Sequence, residues 1–327
     1  MENNIISQKI NYIQTVDILN NHDNFLILCH QDPDGDTIGS AFSLYYILKQ
    51  LNKTAKIRCN NSFSQKYSYF TKDYTESEIN GNEYIISVDV ADNYLLGEKL
   101  EQYKTKVDLA IDHHYSHRDF AKKLLVEDNA SATALVIFNL AKNLNVNFTQ
   151  KIANSIYTGI ATDTGCFKFS NTTPQAHLAA AELIMHGCDY AKINRTMFET
   201  KSKARFELEK LVFENLEFFA NGKGALIKIT NEMLSSTGTD SSDLDGIVSI
   251  PRQIEGIEIG IALKEKLNEE TGAITLKASV RTNESVDAAE ICGIFGGGGH
   301  KRAAGCSFNC TLDQAAEKII TACEKFL

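Results

Sequence analysis

The 327-residue chain has little proline, no closely paired cysteines, no excess of basic charge and no long apolar run. Three prolines and a mean hydropathy of -0.21 argue for an ordered, soluble chain. The eight cysteines are scattered, Cys306 and Cys310 being the nearest two, so zinc-site spacing is excluded and reduced thiols are expected. A net charge of -9 excludes a protein that coats duplex nucleic acid. Any phosphate would have to be met at a local cationic site, built from metals or a few Lys and Arg residues. The polar start, Met-Glu-Asn-Asn, predicts neither a signal peptide nor a membrane span, and the cytoplasm is the expected compartment.

What is present centres on His30-Gln-Asp-Pro-Asp-Gly-Asp36, which packs one histidine and three carboxylates into seven residues. Aspartates this close repel one another unless positive charge sits among them, and bound divalent metal is the simplest source. The stretch follows an apolar run, Phe25–Cys29, that predicts a buried strand. It precedes Ala41–Leu48, spaced as a helix, with Gly35 as a turn and Gly39-Ser40 opening that helix. Free N–H groups at the helix start are a candidate phosphate cradle. Two further apolar runs end the same way. Glu83–Val88 runs into Asp89, and Val107–Ile111 into Asp112-His113-His114. Strands alternating with helices predict a parallel sheet, whose ligands gather at the carboxyl ends of the strands.

Ile5–Leu19, Asn129–Leu144, Thr149–Ala161 and Pro174–His186 also have helical patterns, and Asp163 follows the third of them. Residues 191–214 open a long charged helix, reaching Phe219, that is expected to link domain 1–190 to a smaller α/β domain, 215–327. There, Ala225–Ile229, Ile257–Leu263 and Ala273–Val280 predict strands. Asp240–Ile250, Val286–Ile294 and Leu312–Phe326 predict helices.

A two-metal site needs a carboxylate between ions roughly 3.5–4 Å apart, with histidine nitrogens and carboxylate oxygens around them. His30, Asp34, Asp36, Asp89, His113 and Asp163 are the candidates. Nitrogen and oxygen ligands without cysteine suit Mn²⁺, with Mg²⁺ or Co²⁺ as substitutes. Asp112 is expected to orient a neighbouring histidine. His114 is expected to point away from His113 and face a scissile phosphate. Asp32 is assigned to a turn, Asp92 to a cap, and His22, His117, His177 and His186 to ordinary surface or half-buried positions. The Gly296–Gly299 run, followed by His300-Lys-Arg302, pairs close backbone approach with positive charge. Gly297, Gly298, Gly299, His300 and Arg302, with Arg281, are therefore candidate ligand contacts.

The motifs His30-x-x-x-Asp34-x-Asp36, Val88-Asp89, Asp112-His113-His114 and Thr162-Asp163 resemble those of the DHH phosphoesterase superfamily. Gly296-Gly-Gly-Gly-His300-x-x-Ala-Ala-Gly305 resembles the signature of the DHHA1 domain. The arrangement is most similar to the stand-alone nanoRNase/pAp phosphatases. The resemblance implies a dinuclear metal centre in a DHH domain, a DHHA1 domain that binds nucleotide, and an active site in the cleft between them. It implies that His30 and Asp34 hold one metal, that Asp36, His113 and Asp163 hold the other, and that Asp89 bridges them. His114 would contact phosphate, while Arg281, His300 and Arg302 would anchor the far end of the substrate. Short single-stranded RNA and pAp are the implied substrates, with a homodimer as a further expectation. A cyclic di-AMP or pApA phosphodiesterase and a non-catalytic nucleotide-binding regulator are the alternatives.

Overall fold

Short runs, most of them apolar and buried on both faces, make the sheet of the N-terminal half. The computed structural model describes residues 6–239, 244, 246–267, 273–283 and 285–327. The chain divides into two units, 1–200 and 201–327.

The first unit contains β1 (Gln8–Lys9), α1 (Tyr12–Asn21), β2 (Phe25–Leu28), α2 (Gly35–Gln50), β3 (Ala55–Arg58) and the single turn α3 (Ser68–Thr71). β4 (Tyr84–Val88), β5 (Leu109–Asp112) and β6 (Lys123–Val126) follow. Then come α4 (Thr133–Asn143), α5 (Gln150–Asp163), α6 (Pro174–Met185) and α7 (Tyr190–Asn194). The strands lie in the order β1-β6-β5-β4-β2-β3, with every neighbouring pair parallel. Alternate residues serve two cores, because a strand turns successive side chains to opposite faces. Phe25 and Ile27 pack with the side chains of α2, α4 and α5. Leu26 and Leu28 pack with Leu96, Leu100 and Phe120.

α2 begins six residues earlier than its apolar spacing predicts. The Asp34 carboxylate accepts from the N–H groups of Asp36 and Thr37 and starts the helix there. Those donors are therefore taken, and the helix start is not the open phosphate cradle expected. Gly39 lies inside the helix instead of opening it. A Cβ there would sit 2.5 Å from the Ser155 carbonyl of α5, so glycine permits the close crossing of the two helices.

Two other expectations need correction. The helix expected over Ile5–Leu19 is α1, which starts at Tyr12 under an Asn11–Gln14 capping box, while Gln8–Lys9 pairs with β6 as an edge strand. Residue 5 lies outside the described residues. The long helix expected over Ala191–Phe219 is broken. Thr200 is extended, Ser202 caps α8 (Lys203–Glu214), and β7 (Glu217–Phe219) follows.

In the second unit, β8 (Gly224–Ile229), α9 (Asn231–Thr237), β9 (Ile259–Leu267), β10 (Ile274–Thr282), α10 (Ala288–Gly293), β11 (Gly298–His300), β12 (Ala303–Phe308) and α11 (Leu312–Cys323) complete the chain. The sheet order is β11-β12-β10-β9-β8-β7, antiparallel except for β8 beside β9. Side chains of α10 and α11 cover one face, while Leu208 and Val212 of α8 and Met233 of α9 pack on Ile227 and Ile229 of the other. The helix expected over Asp240–Ile250 falls partly on residues 240–243 and 245, which lie outside the described residues, and its end is a 3-10 turn, Ile247–Ser249. The glycine run enters a β-hairpin, β11–β12.

Candidate metal centre

Three adjacent parallel strands, β2, β4 and β5, deliver their following residues to one edge of the sheet. His30 follows β2, Asp89 follows β4, and His113 and His114 follow Asp112 at the end of β5. The first turn of α2 brings Asp34 and Asp36, and the last residue of α5 is Asp163. Three sets of ligand atoms gather within 4.8 Å of one another: His30, Asp34 and Asp89; Asp36, His113 and Asp163; and Asp89, His113 and His114.

Asp89 joins these sets. Its Oδ2 lies 4.0 Å from His30 Nε2 and its Oδ1 lies 3.8 Å from His113 Nε2. Its backbone is left-handed, at φ 58°. This is unusual outside glycine and most tolerable for Asp or Asn. Two hydroxyls fix the carboxylate: Thr37 Oγ1 donates to Oδ2 at 2.6 Å and Thr133 Oγ1 to Oδ1 at 2.9 Å. Asp36 accepts from the N–H groups of Thr133 (2.6 Å) and Ala134 (2.9 Å). It thereby caps α4, whose own N-cap, Ala132, has no side chain to do so. Asp163 Oδ2 lies 3.6 Å from His113 Nε2. A carboxylate at the C-terminal end of a helix opposes the helix dipole, so it needs a cation nearby.

Asp36 is 2% exposed and Asp89 3%. Burial, with the charges of Asp89, Asp163 and Asp34, pushes the Asp36 carboxyl well above its usual range. Burial, with the Asp34 and Asp112 charges, raises Asp89, and burial pushes Asp163 up to about 6 against the pull of His113. Among the described residues, no Lys or Arg forms an ion pair with Asp34, Asp36, Asp89 or Asp163. Oxygen and imidazole ligands without a protein cation fit divalent metal. A cavity of about 250 Å³, lined in part by His30, Asp34, Asp89, His114 and Asp163, opens onto the group.

Asp112 is fully buried and accepts from His114 Nδ1 at 2.8 Å. Burial alone would raise its pKa. The hydrogen bonds from His114 and His117 outweigh that and hold it well below the carboxylate range. The bond to Asp112 pushes His114 up to about 9. His114 does not point away from His113: the ring centroids are 4.7 Å apart, and His114 Nδ1 is 3.7 Å from Asp89 Oδ1. Asp32 accepts from Asn61 Nδ2, and Asp92 caps the turn 93–96 while pairing with Arg118.

In the second unit, a cavity of about 530 Å³ is lined by Arg281, Gly297 and Gly298 together with Lys277, Ser279 and Ser307. Gly299, His300 and Arg302 are not among its lining residues. Arg302 Nη1 donates to the carbonyls of Asn283 and Val286, which ties its guanidinium to the backbone after β10.

The family model for the DHH family, N-terminal domain, matches residues 24–160, and that for the DHHA1 domain matches 223–327. The chain is 32% identical over 301 residues to the bifunctional oligoribonuclease and PAP phosphatase NrnA of Thermus thermophilus, covering 90% of this chain and 88% of that one. The chain belongs to the DHH family of phosphoesterases. A Bacillus subtilis protein with the same name is 26% identical, over 91% of this chain and 93% of its own length. An exopolyphosphatase-related protein from Bacteroides fragilis shares the fold at a TM-score of 0.84 and 25% identity, with 96% of each chain covered.

Several residues of this DHH centre, and two of the second unit's cavity, escaped the sequence reading. Thr133 and Ala134 carried a weak signal, since Ala132 is a poor N-cap and a helix start without a local acceptor must find a remote one. Thr37 had none beyond adjacency to Asp36. His117, assigned to an ordinary position, has a side chain only 4% exposed, with Nδ1 2.7 Å from Asp112 Oδ2. Lys277 and Ser279 share a strand face with Arg281 and were legible from the two-residue period.

Proposed function

We infer that the chain is a metal-dependent phosphoesterase that hydrolyses short RNA oligonucleotides to nucleoside monophosphates and dephosphorylates pAp to AMP. The observation that carries this reading is the meeting of two ligand sets across one buried, doubly restrained carboxylate, with no lysine or arginine paired to them among the described residues. His30 and Asp34 would hold one divalent ion. Asp36, His113 and Asp163 would hold a second, and Asp89 would touch both. When bound, the ions supply Lewis acidity toward phosphate and make water a better nucleophile at neutral pH. Mn²⁺ is the reading for their identity, because imidazole and carboxylate ligands occur together.

The protein groups do the rest. Thr37 and Thr133 fix Asp89 so that neither of its oxygens has to reorganise. Asp112 holds the Nδ1 proton of His114 and leaves Nε2 as the atom free to donate to a phosphate oxygen. Lys277 and Arg281, with the backbone of Gly297 and Gly298, offer the second unit's cavity to a further phosphate. The names of the Thermus and Bacillus relatives favour this substrate class over cyclic di-AMP.

The test is a product assay with Mn²⁺ on pAp, a two-residue RNA, a long RNA and cyclic di-AMP. Turnover of pAp and the short RNA is expected. Turnover of cyclic di-AMP alone, or equal rates on long and short RNA, would overturn the reading.

A further inference from the structure

His117 lies outside the motifs that mark the family, yet it shares the buried Asp112 carboxylate with His114. Asp112 has a divided load. Its Oδ1 takes the His113 N–H at 2.8 Å and the His114 Nδ1 at 2.8 Å, with Thr133 Oγ1 at 3.4 Å. Its Oδ2 is met by His117 Nδ1 at 2.7 Å. A carboxylate turns easily about its last torsion, so an oxygen without a partner leaves the other free to shift. His117 is itself held. Its N–H donates to the His114 carbonyl at 3.1 Å, its ring lies 5.3 Å from that of Phe120, and Arg118 N–H donates to the Ala91 carbonyl at 2.8 Å. Its Nε2 is buried with no hydrogen-bond partner among the described residues, so only Nδ1 makes a polar contact.

We propose that His117 is a positioning residue: by donating Nδ1–H to Asp112 Oδ2, it locks the carboxylate whose other oxygen orients His114, and so aims His114 Nε2 at the substrate phosphate. The proposal rests on the phosphoesterase reading only for the last step. The lock itself is a property of the protein and can be observed without turnover.

The test compares His117→Phe, which fills the volume without the donor, with His117→Asn, whose side-chain N–H₂ occupies the place of Nδ1–H. In wild type, the His114 Nδ1 proton should give a downfield NMR resonance, sheltered from exchange. His117→Asn should keep that resonance and His117→Phe should lose it. In the product assay, His117→Phe should lower kcat about 10–100-fold, the range found when groups supporting active-site ligands are removed. KM should change little, and His117→Asn should recover most of kcat. An unchanged His114 resonance and kcat in His117→Phe would overturn the proposal. So would parallel loss of activity and thermal stability in both variants, which would make His117 a packing residue. If wild type turns over neither pAp nor short RNA, the functional reading fails, while the resonance still decides the lock.

Discussion

Asp89 combines a left-handed backbone, burial and two threonine donors in one residue. Asn tolerates the same backbone, so Asp89→Asn should fold and melt near metal-free wild type while losing metal binding and falling to background activity. Asp89→Ala adds backbone strain of about 1–2 kcal/mol to the same chemical loss. Thermal melts beside activity assays separate the two effects, and an active Asp89→Asn would remove Asp89 from the centre. Two arginines in the second unit should behave differently. Arg281 lines the cavity, so Arg281→Ala should raise KM for pAp about tenfold with a smaller change in kcat, the cost of one charge-assisted hydrogen bond. Arg302 is tied to two carbonyls, so Arg302→Ala should lower Tm. The opposite pattern would place Arg302 at the ligand.

Gly159 shows how closely the helices must meet to make the site. A Cβ there would lie 2.4 Å from Ala134 Cβ and 2.7 Å from Asp36 Oδ1. Gly159→Ala should cost about 1–3 kcal/mol by overpacking and should weaken metal binding by displacing Asp36. Denaturant melts with metal titration check both, and a neutral variant would show that α4 and α5 can move apart freely. The same scale explains what the sequence made legible. Three apolar runs ending in candidate ligand residues marked the strands, the sheet type and five side chains that converge, because a parallel sheet turns such runs into one edge, while Asp163 was read from the end of a helical pattern. β1 and β6 were hidden, since a two-residue edge strand and a strand that starts on Lys123 leave little pattern. The glycine run read as a ligand contact with no strand expected in it, although Gly298 and Gly299 pair with Gly305 and Ala304. The break before α8 was marked by Ser202, a good N-cap that a long charged helical pattern masked.

Across the molecule, the carboxylates at the centre set how stability responds to pH when metal is removed. Asp36, Asp89 and Asp163 titrate above their unfolded values, so the folded protein holds those protons more tightly. Their contribution is full below about pH 4 and is lost as pH rises, through about 6 for Asp163. His114, at about 9, contributes fully below about pH 6.5 and loses that contribution as pH climbs past its folded value. All four act in one direction, so these groups should make the metal-free protein less stable from pH 5 to pH 9. Added Mn²⁺ should therefore raise Tm more at pH 8 than at pH 5.5, because metal takes the place of protons. A metal-induced rise in Tm that is equal at both values, or larger at pH 5.5, would contradict this.

The central claim is that one buried aspartate serves two metal sites, and calorimetric titration of the metal-free protein with Mn²⁺ tests it directly. Wild type should bind two equivalents per chain, and Asp89→Asn should lose high-affinity binding at both sites. A single equivalent in wild type, or two retained by Asp89→Asn, would contradict it.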